Sequence, residues 1–157
     1  MTVRLPARVR SETGAELVEF ALVLPMLLLI FGGIIDFGLI LQRQQIVTNA
    51  AREGARLAVL PGYTTADVQS RVAQFVTEGL DDAGAAPNTS LTMVTLTPGA
   101  GPPFQAARVQ VSLDSSFLIL GPLVSLAGGG GEAFGTIALT ATSTMRVEGS
   151  ATAATGS

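Results

Sequence analysis

Apolar residues run almost unbroken from Phe20 to Leu41, and steadily polar sequence returns only at Gln42. One charge, Asp36, interrupts the run. A helix needs about 20 apolar residues to cross a bilayer core, so residues 20–41 predict one membrane-spanning helix. Pro25 and the pair Gly32-Gly33 lie inside it, residues that membrane helices tolerate better than soluble ones do. Asp36 falls near the end of the run, where an acid sits either at the interface or against a partner.

The helical pattern continues past the apolar run. In "QRQQIVTNAAREGARLAVL", Val47, Ala50, Ala51, Gly54, Ala55 and Ala58 recur at spacings of three and four. They form a stripe of small side chains on one face, and Pro61-Gly62 ends it. A single helix over 15–60 would be about 70 Å long, half in the bilayer and half projecting. Small residues allow close approach of another element. Ala50 and Gly54 are expected to meet the chain's own head, and Gly32 and Gly33 neighbouring helices.

Beyond it, Thr64-Thr65 and Asp67 open a second helix. Val68, Val72, Phe75, Val76 and Leu80 share one of its faces. "DDAGAAPN" ends this helix as a turn-rich loop, in which Asp81 and Asp82 read as solvated charges. Three strand patterns follow. "SLTMVTLT" (90–97) is rich in β-formers, but its alternation slips between Met93 and Val94, the mark of a bulge. "RVQVSLD" turns Val109, Val111 and Leu113 inward, and "GTIALTATSTMRVE" turns Ile137, Leu139, Ala141, Met145 and Val147 inward. The predicted fold is α+β: a long N-terminal helix and a second helix packed against a small antiparallel sheet. "FLILGPLVSL" (117–126) is apolar on all sides but too short to span a membrane; it is either core or an exposed contact surface. "GGGG" (128–131) reads as a linker, and 149–157 as a disordered tail.

Composition narrows the chemistry. The 157 residues contain no His and no Cys, which excludes disulfides, thiolate nucleophiles, zinc sites built on Cys or His, and Ser-His-Asp triads. No catalytic constellation stands out, and no cofactor or metal is expected. The net charge of −3 and pI near 4.8 leave no basic footprint for nucleic acid. Arg4, Arg8 and Arg10 precede the apolar run against one acid, Glu12. The positive-inside rule then holds the N-terminus in the cytoplasm and sends the head outward. A cleavable secretory signal fits poorly, because its apolar region spans about 7–15 residues before a small-x-small site. Here the run is longer and passes into a polar helix.

The threshold of the run carries a motif: Gly14, then "AELV", then Glu19 and Phe20. It resembles the class III signal of type IV prepilins, in which a short basic leader ends in Gly five residues before a Glu-aromatic pair. More narrowly, "VEFALVLPMLLLIFGGIIDFG" with "NAAREGAR" is similar to the TadE-like pseudopilins, minor pilins of the tight-adherence (Tad/Flp, type IVc) pilus. The resemblance is specific over about the first 60 residues. Over the head it rests on element order and the strand "TATSTMRVE".

The resemblance implies a pilin-like fold and a non-enzymatic role in the assembly, priming or tip of an adhesive pilus. It implies a leader over 1–14, an extracytoplasmic head over 61–148, and cleavage between Gly14 and Ala15 by a prepilin peptidase. Further partners would be other pilins and pseudopilins and the assembly platform of the inner membrane. The localisation implied is a single-pass inner-membrane protein, available for incorporation into the pilus. Glu19 would pair with the new Ala15 amine of a neighbouring subunit. The major pilins of these systems are much shorter and lack a folded head, and the chain is too short for the extra domain of TadG-like proteins. The competing reading is an uncleaved, membrane-anchored binding or adhesin module.

Overall fold

The computed structural model describes residues 12–82, 84–99, 101–126 and 136–147. The leader up to Ser11, the Gly128–Gly131 linker and the tail from Gly149 lie outside the described residues. The chain folds as α1 (Glu12–Ala58), α2 (Thr65–Leu80), β1 (Asn88–Leu96), β2 (Phe104–Ser115), α3 (Leu120–Leu126) and β3 (Ile137–Arg146). This is the expected α+β arrangement of a long helix, a second helix and a three-stranded antiparallel sheet.

α1 is one unbroken helix of 47 residues, with Pro25 inside it, about 70 Å long. It begins at Glu12 rather than Ala15 and gives way at Ala58 to the turn that contains Pro61-Gly62. Gly62 takes φ +90°, a conformation that glycine adopts without a Cβ penalty. The first half of α1 stands bare: Leu22 is 75% exposed and Phe31 62%. Its second half is the axis of the head. Val47, Ala50, Ala51 and Ala55 are buried there with Val68, Val72 and Val76 of α2 and Val109, Val111 and Leu113 of β2.

Residue size explains this packing. A Cβ on Gly54 would lie 2.7 Å from Val72 Cγ2 and 3.2 Å from Val109 Cγ1. Both valines are fully buried and β-branched, so neither has a rotamer to yield into. On the facing helix, a Cβ at Gly79 would meet Ile46 Cγ2 at 2.9 Å. Two glycines thus let α1 and α2 lie close enough for their valines and alanines to fill the core.

α2 starts as its sequence predicts. The Asp67 amide donates to Thr64 Oγ1 at 3.3 Å, and the Thr64 amide donates to Asp67 Oδ2 at 2.8 Å. This reciprocal capping box satisfies two donors that the helix cannot. The Thr64 amide, then its hydroxyl, hold the Asp67 carboxyl below its usual pKa. At the other end Asp81 adopts φ 51°, and the Asp81 and Asp82 amides donate to Glu78 and Thr77. Both acids are exposed. Glu53 of α1 accepts from Arg56 at 3.2 and 3.3 Å and faces Arg71 of α2 at 3.6 Å. The Arg56 guanidinium leads in holding its carboxyl below the usual range, although surface pairs of this kind stabilise a fold little.

The sheet order is β1-β2-β3. The expected bulge at Met93 and Val94 is absent: pairing runs unbroken from Asn88↔Ser112 to Leu96↔Phe104. The alternation slips because both faces of β1 carry apolar residues. Leu91 turns to the core. Val94 and Leu96 lie on the opposite face, opposite Ala106 and Phe104. There the Arg146 guanidinium sits 4.7 Å over the Phe104 ring, a cation–π contact. On β3, Leu139, Ala141 and Met145 join the core.

Gly54→Ala should destabilise the head by about 1–3 kcal/mol through overpacking, while Gly33→Ala, with nothing within 4 Å of its Cβ, should leave head melting unchanged. Thermal unfolding of the full chain in detergent, followed by circular dichroism, checks both. A depressed carboxyl pKa contributes stability above the ordinary carboxylate range and loses it as pH falls through the folded-state value. The melting difference between the native chain and Asp67→Asn should therefore close on acidification.

Candidate functional site

Gly14, Ala15, Glu19 and Phe20 occupy the first turns of α1, and all are exposed. The Gly14–Ala15 bond lies within the opening turn, whose amides have no acceptor within the helix. Glu16 and Glu19 fall three apart and so share a side of the helix. Among the described residues neither makes a hydrogen bond or ion pair. The motif therefore presents an unpaired acid, a bare aromatic and a flexible glycine at the start of an apolar rod.

Farther along, α1 touches its own head earlier than the stripe suggests. Asp36 is 1% exposed, and its carboxylate accepts from the amides that open α3. The Leu118 amide donates to Oδ1 at 3.0 Å, the Ile119 amide to both oxygens at 3.1 Å, and the Leu120 amide to Oδ2 at 2.7 Å. Hydrogen bonds to a charged acceptor are roughly twice as strong as neutral ones. One turn below, a Cβ on Gly32 would lie 2.8 Å from Ile119 Cγ2 and 3.4 Å from Leu123 Cδ1. The absent side chain at Gly32 gives α3 its seat, and Asp36 holds α3 there. One turn of α1 beyond Ile40, Arg43 donates to the buried Ser115 Oγ at 2.6 Å, and Gln44 donates to the Thr140 carbonyl at 3.2 Å.

Each glycine and alanine singled out in the sequence can now be placed. Gly54 and Ala50 are buried under the head, and Gly32 is buried under α3. Gly33 is half-buried with open space beside it. Sequence reasoning named Asp36 without finding its partner. The available signal was a complementary need: an acid inside an apolar run, and an apolar segment whose opening amides require an acceptor.

These elements define a class: an α+β head folded around one half of a helix whose other half is long and apolar enough to cross a membrane. The particular likeness is narrower. Residues 14–56, about a quarter of the chain, match a family model described as TadE-like protein. The match begins at Gly14 and ends at Arg56, covering the threshold motif, the apolar run and most of the small-residue stripe. No curated protein and no solved structure matches the chain.

Asp36→Ala would strand three amides, and each buried orphan costs about 1–3 kcal/mol. Hydrogen exchange should show residues 118–123 losing protection by at least about fivefold, the equivalent of about 1 kcal/mol for one orphaned amide, while α2 keeps its own.

Proposed function

We propose that the chain is a TadE-like pseudopilin. It is inserted with its N-terminus in the cytoplasm, cut between Gly14 and Ala15 by a prepilin peptidase, and used to assemble, prime or tip a Tad pilus. The observation that carries this reading is the position of the threshold motif. The spacing Gly14–"AELV"–Glu19-Phe20 stands at the first residue of the TadE-like match, and it occupies the bare opening of a helix that runs straight into the head.

The chemistry follows from those positions. A protease cleft takes an extended backbone, and Gly14 offers no side chain to obstruct it. Unwinding the opening turn sacrifices few helix hydrogen bonds. Cleavage removes three Arg and one Glu, so the formal side-chain charge passes from −3 to −5. It also creates an α-amino group on Ala15 that is charged near neutral pH. A lone carboxylate costs about 2.5–3.5 kcal/mol at the centre of a membrane helix and less near the interface. Pairing Glu19 with the Ala15 amine of an adjacent subunit relieves that cost and sets the axial stagger between helices. The role is structural: Gly14 and Ala15 are substrate to the peptidase, and the head supplies bulk and contact surface.

In cells with an active prepilin peptidase, Gly14→Val should accumulate as the slower-migrating precursor on gels. Glu19→Gln should be cut normally but be lost from the sheared pilus fraction. Wild-type migration of Gly14→Val would support the uncleaved anchored module instead. Full recovery of Glu19→Gln in pili would remove the pairing role.

A further inference from the structure

The connection from β2 to β3 does not stay with the sheet. Ser115 and Ile137 are paired partners, and Ser115 is tied to Arg43. From there the chain descends along α1 to reach Asp36 and Gly32. With Glu19 at the inner boundary, a hydrocarbon core of about 30 Å carries α1 to about Leu39. On that scale Asp36 lies about 5 Å, and Gly32 about 10 Å, inside the leaflet on the head's side. α3 is seated against α1 at this depth.

The segment is built for that depth. From Ser116 to Leu126 it carries no charged side chain. Leu118 is 66% exposed, Pro122 is exposed, and Phe117, Ile119, Leu123 and Val124 are partly so. At the same height on α1, Ile34, Ile35, Phe37 and Leu41 are also exposed. Backbone groups in hydrocarbon must find partners within the protein, and several in this segment do. The Leu118, Ile119 and Leu120 amides donate to Asp36. Pro122 has no amide to satisfy, and the Leu123 amide donates to the Ile119 carbonyl. The Ser125 hydroxyl turns back to the Pro122 carbonyl at 2.8 Å.

We propose that residues 117–126 form a wedge that dips into the leaflet on the head's side, with lipid acyl chains covering its outward face. The inference rests on reading α1 as the membrane anchor. The wedge gives the head a second point of attachment beside α1, fixing its height above the bilayer and its rotation about the helix.

The chain has no Cys, so single replacements give unique labelling sites. Full-length Leu118→Cys, Leu28→Cys and Met93→Cys are labelled with an environment-sensitive fluorophore. They are then reconstituted in vesicles of phosphatidylethanolamine and phosphatidylglycerol. Leu28 reports the span, and Met93, 44% exposed on the sheet, reports the aqueous head. The proposal predicts that the Leu118 label is blue-shifted, quenched by nitroxide-bearing lipids, and several-fold less sensitive to iodide than the Met93 label. A Leu118 label that behaves like Met93 while Leu28 stays shielded overturns the wedge and leaves the anchor standing. A Leu28 label open to iodide overturns the anchor and the wedge with it. Shielding of Leu118 from iodide without lipid quenching means that protein covers the segment, and also overturns the proposal.

Discussion

The close approach of α2 and β2 to the second half of α1 is the constraint on which the rest of the molecule depends. Gly54 is packed so tightly beneath Val72 and Val109 that a single methyl there has no room. Ala50, Ala51 and Ala55 complete a seat shallow enough for the helix and sheet to share it. The helix that could anchor the chain is therefore also the central element of the head's core. Without α1, the buried faces of α2 and β2 lose the element they share. One continuous helix joins the threshold motif to the head.

Contacts spaced along α1 reinforce that union. Gly32 and Asp36 hold α3, Arg43 holds the end of β2, Gln44 holds β3, and the stripe from Val47 to Ala55 holds the core. Their chemistry changes with position. Toward the apolar half the tie is a buried carboxylate serving backbone amides; in the middle it is a set of side-chain hydrogen bonds; at the outer end it is apolar packing. A carboxylate within an otherwise apolar run is costly unless its lone pairs are used. Asp36 uses both oxygens, so its charge serves the fold from inside the run.

Much of this was legible in the sequence because it is local. The spacing of Val47 to Ala58 located the buried stripe, Thr64 and Asp67 announced the capping box, and alternation gave the inward residues of β2 and most of those of β3, although Ile137 at the strand's start is exposed. Two features were not local. The Met93–Val94 slip suggested a bulge, but the cause was an apolar corner on the outer face, assembled from Phe104, Ala106 and Arg146 on other strands. Asp36 and the 118–120 amides are complementary across more than half the chain, and no periodicity links them. At the threshold the residues were readable one by one, whereas their meaning lies in what acts on them from outside the chain. The structure adds only that they are exposed at the start of α1.

The account joins a processed helix start to a head built on the same helix, and the most direct test is the identity of the N-terminus. Mass spectrometry of the protein isolated from its own cells should find Ala15 as the first residue, with the leader absent. A protein that retains residues 1–14 in cells whose prepilin peptidase is active would contradict it.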